Sequence, residues 1–371
     1  MAMALDLARL SLRLSNPNPR VGCVLMDASG AVIGEGHTQQ AGGPHAEVMA
    51  LRDAQARGNP TRGATAFVTL EPCSHHGRTP PCCDALIAAQ IGKVVVAATD
   101  PNPLVAGKGL QRLRAAGIGV EILPEDAAEA LASRELNIGF FSRMTRGQPW
   151  VRMKMASSLD GTTALENGVS QWITGEAARA DGHAWRARAC AVLTGVGTVL
   201  EDDPMLDVRL VETTRQPHLV VVDSHLKTPP TAQLFETPGN GLPRQVWIYH
   251  ASEDSTAMAA LKARGATLIA MPGANGKVDL PSMLLDLGRR EVNELHLEAG
   301  SKLNGSFLRE GLVDEVLLYL APCLLGAGAR VADFGPLQQL SQGIRLEIAD
   351  TRNTGEDLRI LARVQKLPKA T

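Results

Sequence analysis

Short apolar runs alternate with helical patterns along almost the whole chain, and this alternation is the feature that most limits its possible folds. In the first part of the chain, strand-like runs lie at residues 21–26, 66–70 and 94–98. The helical patterns that alternate with them lie at residues 46–57, 83–89 and 109–116. An order of this kind predicts a layered α/β domain.

The alternation is interrupted at residues 142–149, which read SRMTRGQP and are polar, basic and broken by Gly and Pro. A new strand-like run follows at 150–155, and further strands are predicted at 191–194, 219–223, 245–250, 267–271, 294–298 and 315–320. The 371 residues also exceed the usual single domain of about 100 to 200 residues. We therefore expect two α/β domains, residues 1–145 and 146–371.

The charge balance limits the class of partner. A formal net charge of −2 gives no general attraction for polyanions, so a small-molecule substrate is favoured over nucleic acid. The first fifteen residues are interrupted by Asp6, Arg9 and Arg13, so they predict an amphipathic helix rather than a membrane span or a signal peptide. The sequence therefore predicts no membrane partner.

Three of the six cysteines, Cys73, Cys82 and Cys83, cluster beside histidines. This pattern indicates metal binding rather than disulfides, and therefore a cytoplasmic protein. A catalytic zinc ion takes three protein ligands and keeps a fourth position for water. His45, Cys73 and Cys82 satisfy that count, and each lies at a predicted element end, where helix N-termini favour thiolate.

Glu47 lies two residues after His45, in the His-x-Glu arrangement that zinc deaminases use for proton transfer. The two cysteines, however, are separated by eight residues (74–81) instead of the two of the usual signature, and either Cys82 or Cys83 could be the ligand. The alternatives are a structural zinc site, with His75 or His76 as fourth ligand, and a pair of buried thiols without metal.

Two Pro-rich tetrapeptides, NPNP at 16–19 and DPNP at 100–103, have the composition of ordinary turns. In the second half no Gly-x-Gly-x-x-Gly joins a strand to a helix, so a Rossmann dinucleotide site is excluded there. A small-residue loop at 299–306 instead precedes a helix predicted from Phe307. Such a loop can bind phosphate through backbone N–H groups, although most are plain connections.

These motifs together resemble the RibD family of bifunctional riboflavin biosynthesis proteins. In the first half the matching segments are NPNPRVG at 16–22, HAE at 45–47, TLEPCSHHGRTPPC at 69–82 and DPNP at 100–103. In the second half they are KMASSLDG at 154–161, SQWIT at 170–174, DDP at 202–204 and EAGSKLNGSF at 298–307. The resemblance covers nearly the whole chain and accounts for the eight-residue insertion.

For the first half, the resemblance implies a cytidine-deaminase-like, three-layer α/β/α domain that hydrolytically deaminates 2,5-diamino-6-(5-phosphoribosylamino)pyrimidin-4(3H)-one. It implies one zinc ion on His45, Cys73 and Cys82, with Glu47 as the proton shuttle. Asn18 is similar to a residue that hydrogen-bonds the substrate sugar. The loop 75–78 would form the phosphate-side wall or orient the metal ligands.

For the second half, the resemblance implies a dihydrofolate-reductase-like α/β domain in which NADPH reduces the ribosyl group of 5-amino-6-(5-phosphoribosylamino)uracil to ribityl. The implied cofactor contacts are Ala156, Trp172, Thr198, Asp202, Ser224, Gly300, Ser301, Lys302, Leu303, Asn304, Gly305 and Ser306. The implied substrate contacts are Ser170, Arg186, Leu206, Arg209 and Glu298. Lys154 is a further hypothesis, as a group that polarises the sugar. A homodimer or homotetramer is also implied.

Two other functions remain to be weighed against this one. A nucleic-acid-editing zinc deaminase with a C-terminal binding domain would call for a basic, aromatic-bearing face, yet the chain has only six Phe, four Trp and two Tyr. A fusion with one catalytically dead half is the other alternative, although both halves retain their motif residues.

Overall fold

The computed structural model describes residues 1–74, 80–103 and 105–365. The chain divides into two compact units, Met1–Gly147 and Gln148–Thr371. The mixed α/β class predicted from the alternation is confirmed in both. The loop 75–78, to which the resemblance gave a role at the site, lies outside the described residues, as do His75 and His76.

The first unit contains a five-stranded sheet and helices on both of its faces. Its strands are β1 (Gly22–Met26), β2 (Val32–His37), β3 (Thr65–Val68), β4 (Lys93–Val96) and β5 (Gly119–Ile122). Its helices are α1 (Ala2–Leu10), α2 (Ala46–Ala56), α3 (Cys82–Ala88), α4 (Lys108–Ala115), α5 (Ala128–Leu136) and α6 (Ile138–Arg146). The strand order is β2-β1-β3-β4-β5, with β1 antiparallel to both neighbours and β3, β4 and β5 parallel.

Two glycines show how closely the helices approach this sheet. A Cβ on Gly22 would lie 1.8 Å from the carbonyl oxygen of Ala4 in α1, and one on Gly36 would lie 2.4 Å from that of Ala46 in α2. Gly36 is paired with Cys23, the neighbour of Gly22, so the two glycines face opposite sides of the sheet. The unit therefore has three layers, with α1 and α2 on opposite faces.

The second unit is built on a nine-stranded sheet and a small two-stranded one. Its strands are β6 (Trp150–Ser158), β7 (Thr162–Leu165), β8 (Ala191–Gly195), β9 (His218–Val222), β10 (Val246–His250), β11 (Thr267–Ala270), β12 (Glu294–Leu297), β13 (Glu315–Ala321), β14 (Gly328–Arg330), β15 (Leu346–Thr354) and β16 (Asp357–Val364). Its helices are α7 (Glu176–Arg188), α8 (Val196–Asp202), α9 (Ser255–Ala263), α10 (Leu280–Arg289) and α11 (Ser301–Arg309).

The order of the large sheet places the ends of its parallel strands together. It reads β11-β10-β9-β8-β12-β6-β13-β16-β15, in which β16 runs antiparallel to both of its neighbours and the other pairings are parallel. The strand β7 pairs with β14 separately. Apolar side chains of α10 and α11 pack on one face, and α7 lies over the other near β13 and β16. The carboxyl ends of β9, β8, β12 and β6 thus form one continuous edge, the usual ligand-binding edge of such sheets.

No helix in the parts of the chain with described coordinates is both long and apolar enough to cross a bilayer.

Candidate active sites

In the first unit, one histidine and two cysteines converge from three element ends. His45 is the residue immediately before α2, Cys73 lies in the segment after β3, and Cys82 is the first residue of α3. Their nitrogen and sulfur atoms all lie within 4.8 Å of one another. Nδ1 of His45 is 3.2 Å from Sγ of Cys82 and 3.6 Å from Sγ of Cys73. One imidazole and two thiols at this separation form a donor set suited to zinc.

The electrostatics of the cluster favour a thiolate. The hydrogen bond from the Cys82 thiol, supported by His45 and the Cys82 backbone N–H, lowers the pKa of Cys73 to about 4. The Cys82 N–H lies 3.3 Å from the Cys73 sulfur. It belongs to the first turn of α3, where free N–H groups stabilise negative charge. The cluster can therefore present an anionic sulfur ligand near neutral pH.

Cys83 faces away from this cluster, which separates it from Cys82. Its thiol donates toward the carbonyl oxygens of Pro72, at 3.3 Å, and Gly109, at 3.6 Å. Burial raises the pKa of Cys83 to about 12, so the thiol stays protonated. The ambiguity between the two adjacent cysteines is thus absent from the folded structure, in which Cys82 alone of the pair joins His45 and Cys73.

Glu47 lies in the first turn of α2 and its side chain is buried. Burial, followed by the nearby Cys73 charge, raises the pKa of Glu47 above its usual value. A carboxyl group with a raised pKa can hold and release a proton close to neutral pH. Its position two residues along the helix from His45 places this group beside the candidate ligands.

Glu71 organises the neighbouring loop and was not identified as a site residue from the sequence. Its buried carboxylate accepts hydrogen bonds from the backbone N–H groups of Asp100, Gly107 and Gly109, at 3.3, 3.0 and 3.1 Å. These contacts fold the DPNP segment against the strand end next to Cys73. The available signal was the acidic residue inside the otherwise apolar stretch before Pro72.

Asn18 lies in the turn that follows α1, half-buried, with its backbone N–H donating to Ser15 O at 2.8 Å. The same segment is tied down by Arg20, whose N–H donates to the Asn137 side chain at 2.7 Å. The NPNP sequence therefore forms a turn, as its composition predicts, and this turn is held rigidly by buried hydrogen bonds.

In the second unit, Arg186 and Lys154 converge on the largely buried carboxylate of Glu298. Both nitrogens Nε and Nη2 of Arg186, on α7, pair with Glu298, which follows β12, and the Nη2–Oε2 distance is 2.8 Å. Lys154 of β6 lies with Nζ 3.8 Å from Glu298 Oε2. Burial alone would raise the pKa of Glu298, but the charges of Arg186 and Lys154 hold it well below the usual value. The carboxylate is therefore ionised.

Arg186 also links this group to the segment after α8. Its Nη1 donates to the carbonyl oxygen of Asp207 at 3.0 Å, between Leu206 and Arg209. The Arg209 N–H donates to Nδ1 of His183 at 3.2 Å, and its guanidinium pairs with Asp207. Arg186 thus contacts both Glu298 and the segment that contains Leu206 and Arg209.

Most of the predicted cofactor residues lie on β6 or in the segments that follow β8, β9 and β12. Ala156 lies on β6, Thr198 and Asp202 on α8, and Ser224 just after β9, where its Oγ accepts from the Val278 N–H at 3.1 Å. A Cβ on Gly300 would lie 3.8 Å from Thr198 Oγ1, so α8 and the start of α11 are neighbours. Ser170 and Trp172 follow β7, where the indole of Trp172 is 65% exposed and contacts Arg179.

Comparison with known proteins covers both units. Residues 149–360 match the family model of the RibD C-terminal domain, and residues 1–98 match the cytidine and deoxycytidylate deaminase zinc-binding region. The riboflavin biosynthesis protein RibD of Escherichia coli K12 is 42% identical over 96% of both chains. That of Aquifex aeolicus is 39% identical over 96% of both.

Solved structures give the same result. Acinetobacter baumannii RibD superposes with a TM-score of 0.85 at 40% identity over 98% of each chain. A diaminohydroxyphosphoribosylaminopyrimidine deaminase/5-amino-6-(5-phosphoribosylamino)uracil reductase from Thermotoga maritima superposes with a TM-score of 0.84 at 32% identity, over 98% of this chain and 97% of that one.

The chain belongs to the RibD family. As a RibD protein it is a bifunctional deaminase and reductase of riboflavin biosynthesis, and the predicted family, fold and pair of enzyme activities are confirmed. The matches extend through both halves. The alternative of an editing deaminase with an accessory binding domain does not account for a RibD C-terminal domain.

One local prediction for this RibD protein is wrong. Residues 301–306 were expected to form a loop before a helix starting at Phe307, but α11 already begins at Ser301, with Gly300 as the residue before it. Asn304 and Gly305 are buried in that helix, where Asn304 Nδ2 donates to Val331 O at 2.9 Å. A Cβ on Gly305 would lie 1.8 Å from Asp333 O. The small residues therefore allow close packing of the helix, and the segment expected as a loop forms its first turns.

Proposed function

We propose that this RibD protein deaminates 2,5-diamino-6-(5-phosphoribosylamino)pyrimidin-4(3H)-one in its first domain and reduces 5-amino-6-(5-phosphoribosylamino)uracil with NADPH in its second. The convergence of His45, Cys73 and Cys82 beside the buried Glu47 carries the deaminase assignment. The two activities in the name of the Thermotoga maritima relative support the choice of substrates.

The donor set fits one zinc ion, which His45, Cys73 and Cys82 would hold. When bound, zinc supplies the Lewis acidity that makes a water molecule nucleophilic near neutral pH. Zinc binds a cysteine as its thiolate, and Cys73 is held in this form because the first-turn N–H groups of α3 stabilise its charge.

Glu47 moves the protons of the deamination. Its carboxylate takes one proton from the attacking water and delivers it to the ring nitrogen, and it then transfers the second to the amino group, which leaves as ammonia. The ring carbon gains the water oxygen and loses nitrogen, so the atoms balance. Asn18 would hydrogen-bond the substrate sugar, and the rigid turn around it supports this role.

NADPH would bind along the edge formed by the carboxyl ends of the parallel strands. The first-turn N–H groups of α11, where no side chain caps the helix, fit a phosphate group. The proposed contacts are Ala156, Trp172, Thr198, Asp202, Ser224, Gly300, Ser301, Lys302, Leu303, Asn304, Gly305 and Ser306. Because Asn304 and Gly305 are buried in α11, their contribution is to shape the helix. When bound, NADPH supplies the hydride for the reduction.

The substrate of the reductase would be held by Ser170, Arg186, Leu206, Arg209 and Glu298. Arg209 is half exposed and can pair with a phosphate. Glu298, ionised and anchored by Arg186, can accept hydrogen bonds from sugar hydroxyls. Nζ of Lys154 lies 3.8 Å from Glu298 Oε2, so a sugar bound at this carboxylate would also be close to the lysine. The lysine would then polarise the sugar carbon–oxygen bond.

The remaining parts of the proposal concern organisation. The catalytic domains are residues 1–145 and 146–371, and the division into two compact units next to this boundary supports them. None of the six cysteines, all of which lie in described segments, forms a disulfide, which suits a cytoplasmic enzyme. A homodimer or homotetramer is consistent with the largely exposed edge strand β15.

Metal content and ammonia release in wild type, Cys82→Ala and Cys83→Ala test the deaminase site. We expect about one zinc per chain in wild type, loss of both zinc and ammonia release in Cys82→Ala, and retention of both in Cys83→Ala. The adjacent Cys83 is the matched control, since its thiol faces Pro72 and Gly109.

The reductase half is tested in the same preparations by NADPH consumption with the phosphoribosylaminouracil supplied directly. Consumption should depend on that substrate and persist in both cysteine variants. Zinc without ammonia release would indicate a structural metal site, and ammonia release without NADPH consumption would indicate a dead second half.

A further inference from the structure

The strand β12 presents a polar face inside the second unit. Glu294, His296 and Glu298 alternate along the chain with the buried Leu295 and Leu297. Successive residues of a strand point to opposite faces, so the three polar side chains share one face. A polar row in the centre of a sheet requires an explanation, because buried polar groups are costly unless they are hydrogen-bonded.

Ion pairs explain the first and last members of this row. Glu294 pairs with Arg152 at 2.9 Å and with Arg188 at 2.8 Å, while Glu298 pairs with Arg186. His296 lies between them with 0% of its surface exposed. Its Nδ1 has no hydrogen-bond partner within the described part of the chain, and its Nε2 lies 3.1 Å from Oε1 of Glu298 without the alignment of a regular hydrogen bond.

The surroundings of the imidazole favour its neutral form. Burial lowers the pKa of His296, the Glu298 charge opposes this effect, and the cations Arg186 and Arg152 reinforce it. Among the neighbouring elements, α7 contributes Arg186 and β6 contributes Arg152, in register with His296. A neutral imidazole carries one N–H, and Glu298 is the carboxylate within hydrogen-bond distance.

We infer that His296 is a positioning residue for the reductase, which donates from Nε2–H to Glu298 and, together with Arg186, fixes the carboxylate that receives the substrate sugar. The imperfect alignment fits this role, because hydrogen bonds of active sites are often loose without substrate and tighten in the complex. The inference rests on the proposed substrate-binding role of Glu298. His296 itself, fully buried behind that carboxylate, touches no substrate.

The test compares His296→Leu, which has no donor, with His296→Gln, whose amide can donate to Glu298. In His296→Leu we expect kcat/KM for the phosphoribosylaminouracil to fall about tenfold, mainly through KM, because one hydrogen bond to a charged group is lost. KM for NADPH should stay within about twofold. His296→Gln should recover most of the loss.

His250→Leu is the matched control. It removes another buried histidine, the last residue of β10. The Nδ1 of His250 lies 3.0 Å from the carbonyl oxygen of Ser252, which follows β10, and not near Glu298. Its KM for the sugar substrate should equal that of wild type. A merely structural role for His296 predicts equal losses in Leu and Gln variants, or parallel changes in both KM values, and either result would overturn the inference.

Nitrogen NMR of histidine-labelled wild type gives an answer even if His296→Leu does not fold. The resonance that disappears in His296→Gln should show the Nε2–H tautomer and should shift when substrate binds without NADPH. A proton on Nδ1 would overturn the inference. If the wild-type protein does not reduce the substrate, or if Glu298→Gln still reduces it, the proposed function of this site fails as well. If the wild type is active and the kinetic constants of His296→Leu equal those of wild type, only the positioning role is overturned.

Discussion

The two candidate sites are built in different ways. In the first unit, three candidate ligand atoms within 4.8 Å of one another come from short motifs at element ends, and Glu47, the proposed proton-transfer residue, lies two positions from His45. In the second unit, the residues come from at least six elements along one sheet edge, and charged pairs hold them. The first site depends on three donor side chains close together, whereas the second depends on many residues that are held in place by buried ion pairs.

This difference predicts where each site is vulnerable. Removal of one donor in the first unit should abolish chemistry and leave the fold intact, since the cluster is small. In the second unit, much of the charge near the site also supports the core, so substitutions there should affect stability and substrate binding together.

The largest expected effect is on the first site, in Glu47→Gln. Loss of the proton-transfer group should reduce ammonia release about 10³-fold, or ~4 kcal/mol in the barrier. Zinc content should be unchanged, because Glu47 is outside the His45, Cys73 and Cys82 donor set. NADPH consumption with supplied uracil substrate is the internal control. If Glu47→Gln released ammonia at a rate within tenfold of wild type, the first site would not depend on this single side chain, and the proposed difference between the two sites would be wrong.

A somewhat smaller effect, on stability, is expected in the second unit for Arg152→Met. Arg152 is 1% exposed and pairs with Glu294 and Glu315, both fully buried. Removing one partner of a buried ion network costs about 3 kcal/mol here, at the low end because Arg188 and Arg363 remain beside the carboxylates.

Urea unfolding followed by tryptophan fluorescence measures this loss selectively, because Trp150, Trp172, Trp185 and Trp247 all lie in the second unit. The exposed Arg352, paired with Asp350, provides the control, and Arg352→Ala should change stability by no more than about 0.5 kcal/mol. Equal losses of stability in Arg152→Met and Arg352→Ala would show that the buried ion pairs of Arg152 do not support the second unit.

The smallest effect is a pH dependence at His183. Burial, followed by the charges of Arg186 and Arg209, lowers the pKa of His183 to about 4. Between this value and about 6.5 the unfolded chain binds a proton that the folded chain does not, so stability falls as pH decreases through this window. Allowing for solvent screening, the loss is about 1–2 kcal/mol.

Urea midpoints at pH 7 and at pH 4.5 measure the dependence at His183. His183→Gln, which can still accept from the Arg209 N–H, should show a smaller loss of stability between the two values than wild type does. An identical loss in both proteins would assign the acid sensitivity of the second unit to other groups.

The first site could be predicted almost completely from the sequence. His45, Cys73 and Cys82 each follow a Pro at a predicted element end, and this pattern indicates candidate ligands without knowledge of the fold. The ambiguity between Cys82 and Cys83 could not be resolved from the residues alone. The two thiols point in different directions only because Cys83 packs against the carbonyls of Pro72 and Gly109.

The second site was less accessible to sequence reasoning. Small residues at 299–306 suggested a loop, but their tertiary role is to let α11 approach Asp333, a contact invisible in local composition. The alternation of the polar residues Glu294, His296 and Glu298 is visible in the sequence. The ionisation and partners of these residues, however, depend on the cations that face them from α7 and β6.

The sequence by itself determined the family, the two α/β units and the donor types of the candidate metal site, because short-range patterns and element ends encode them. The tertiary structure shows why Cys82 rather than Cys83 joins His45, and it alone decided where α11 begins and which charges surround Glu298. These features depend on strand order, register and close packing between distant segments, so the same residues in another arrangement would have other partners.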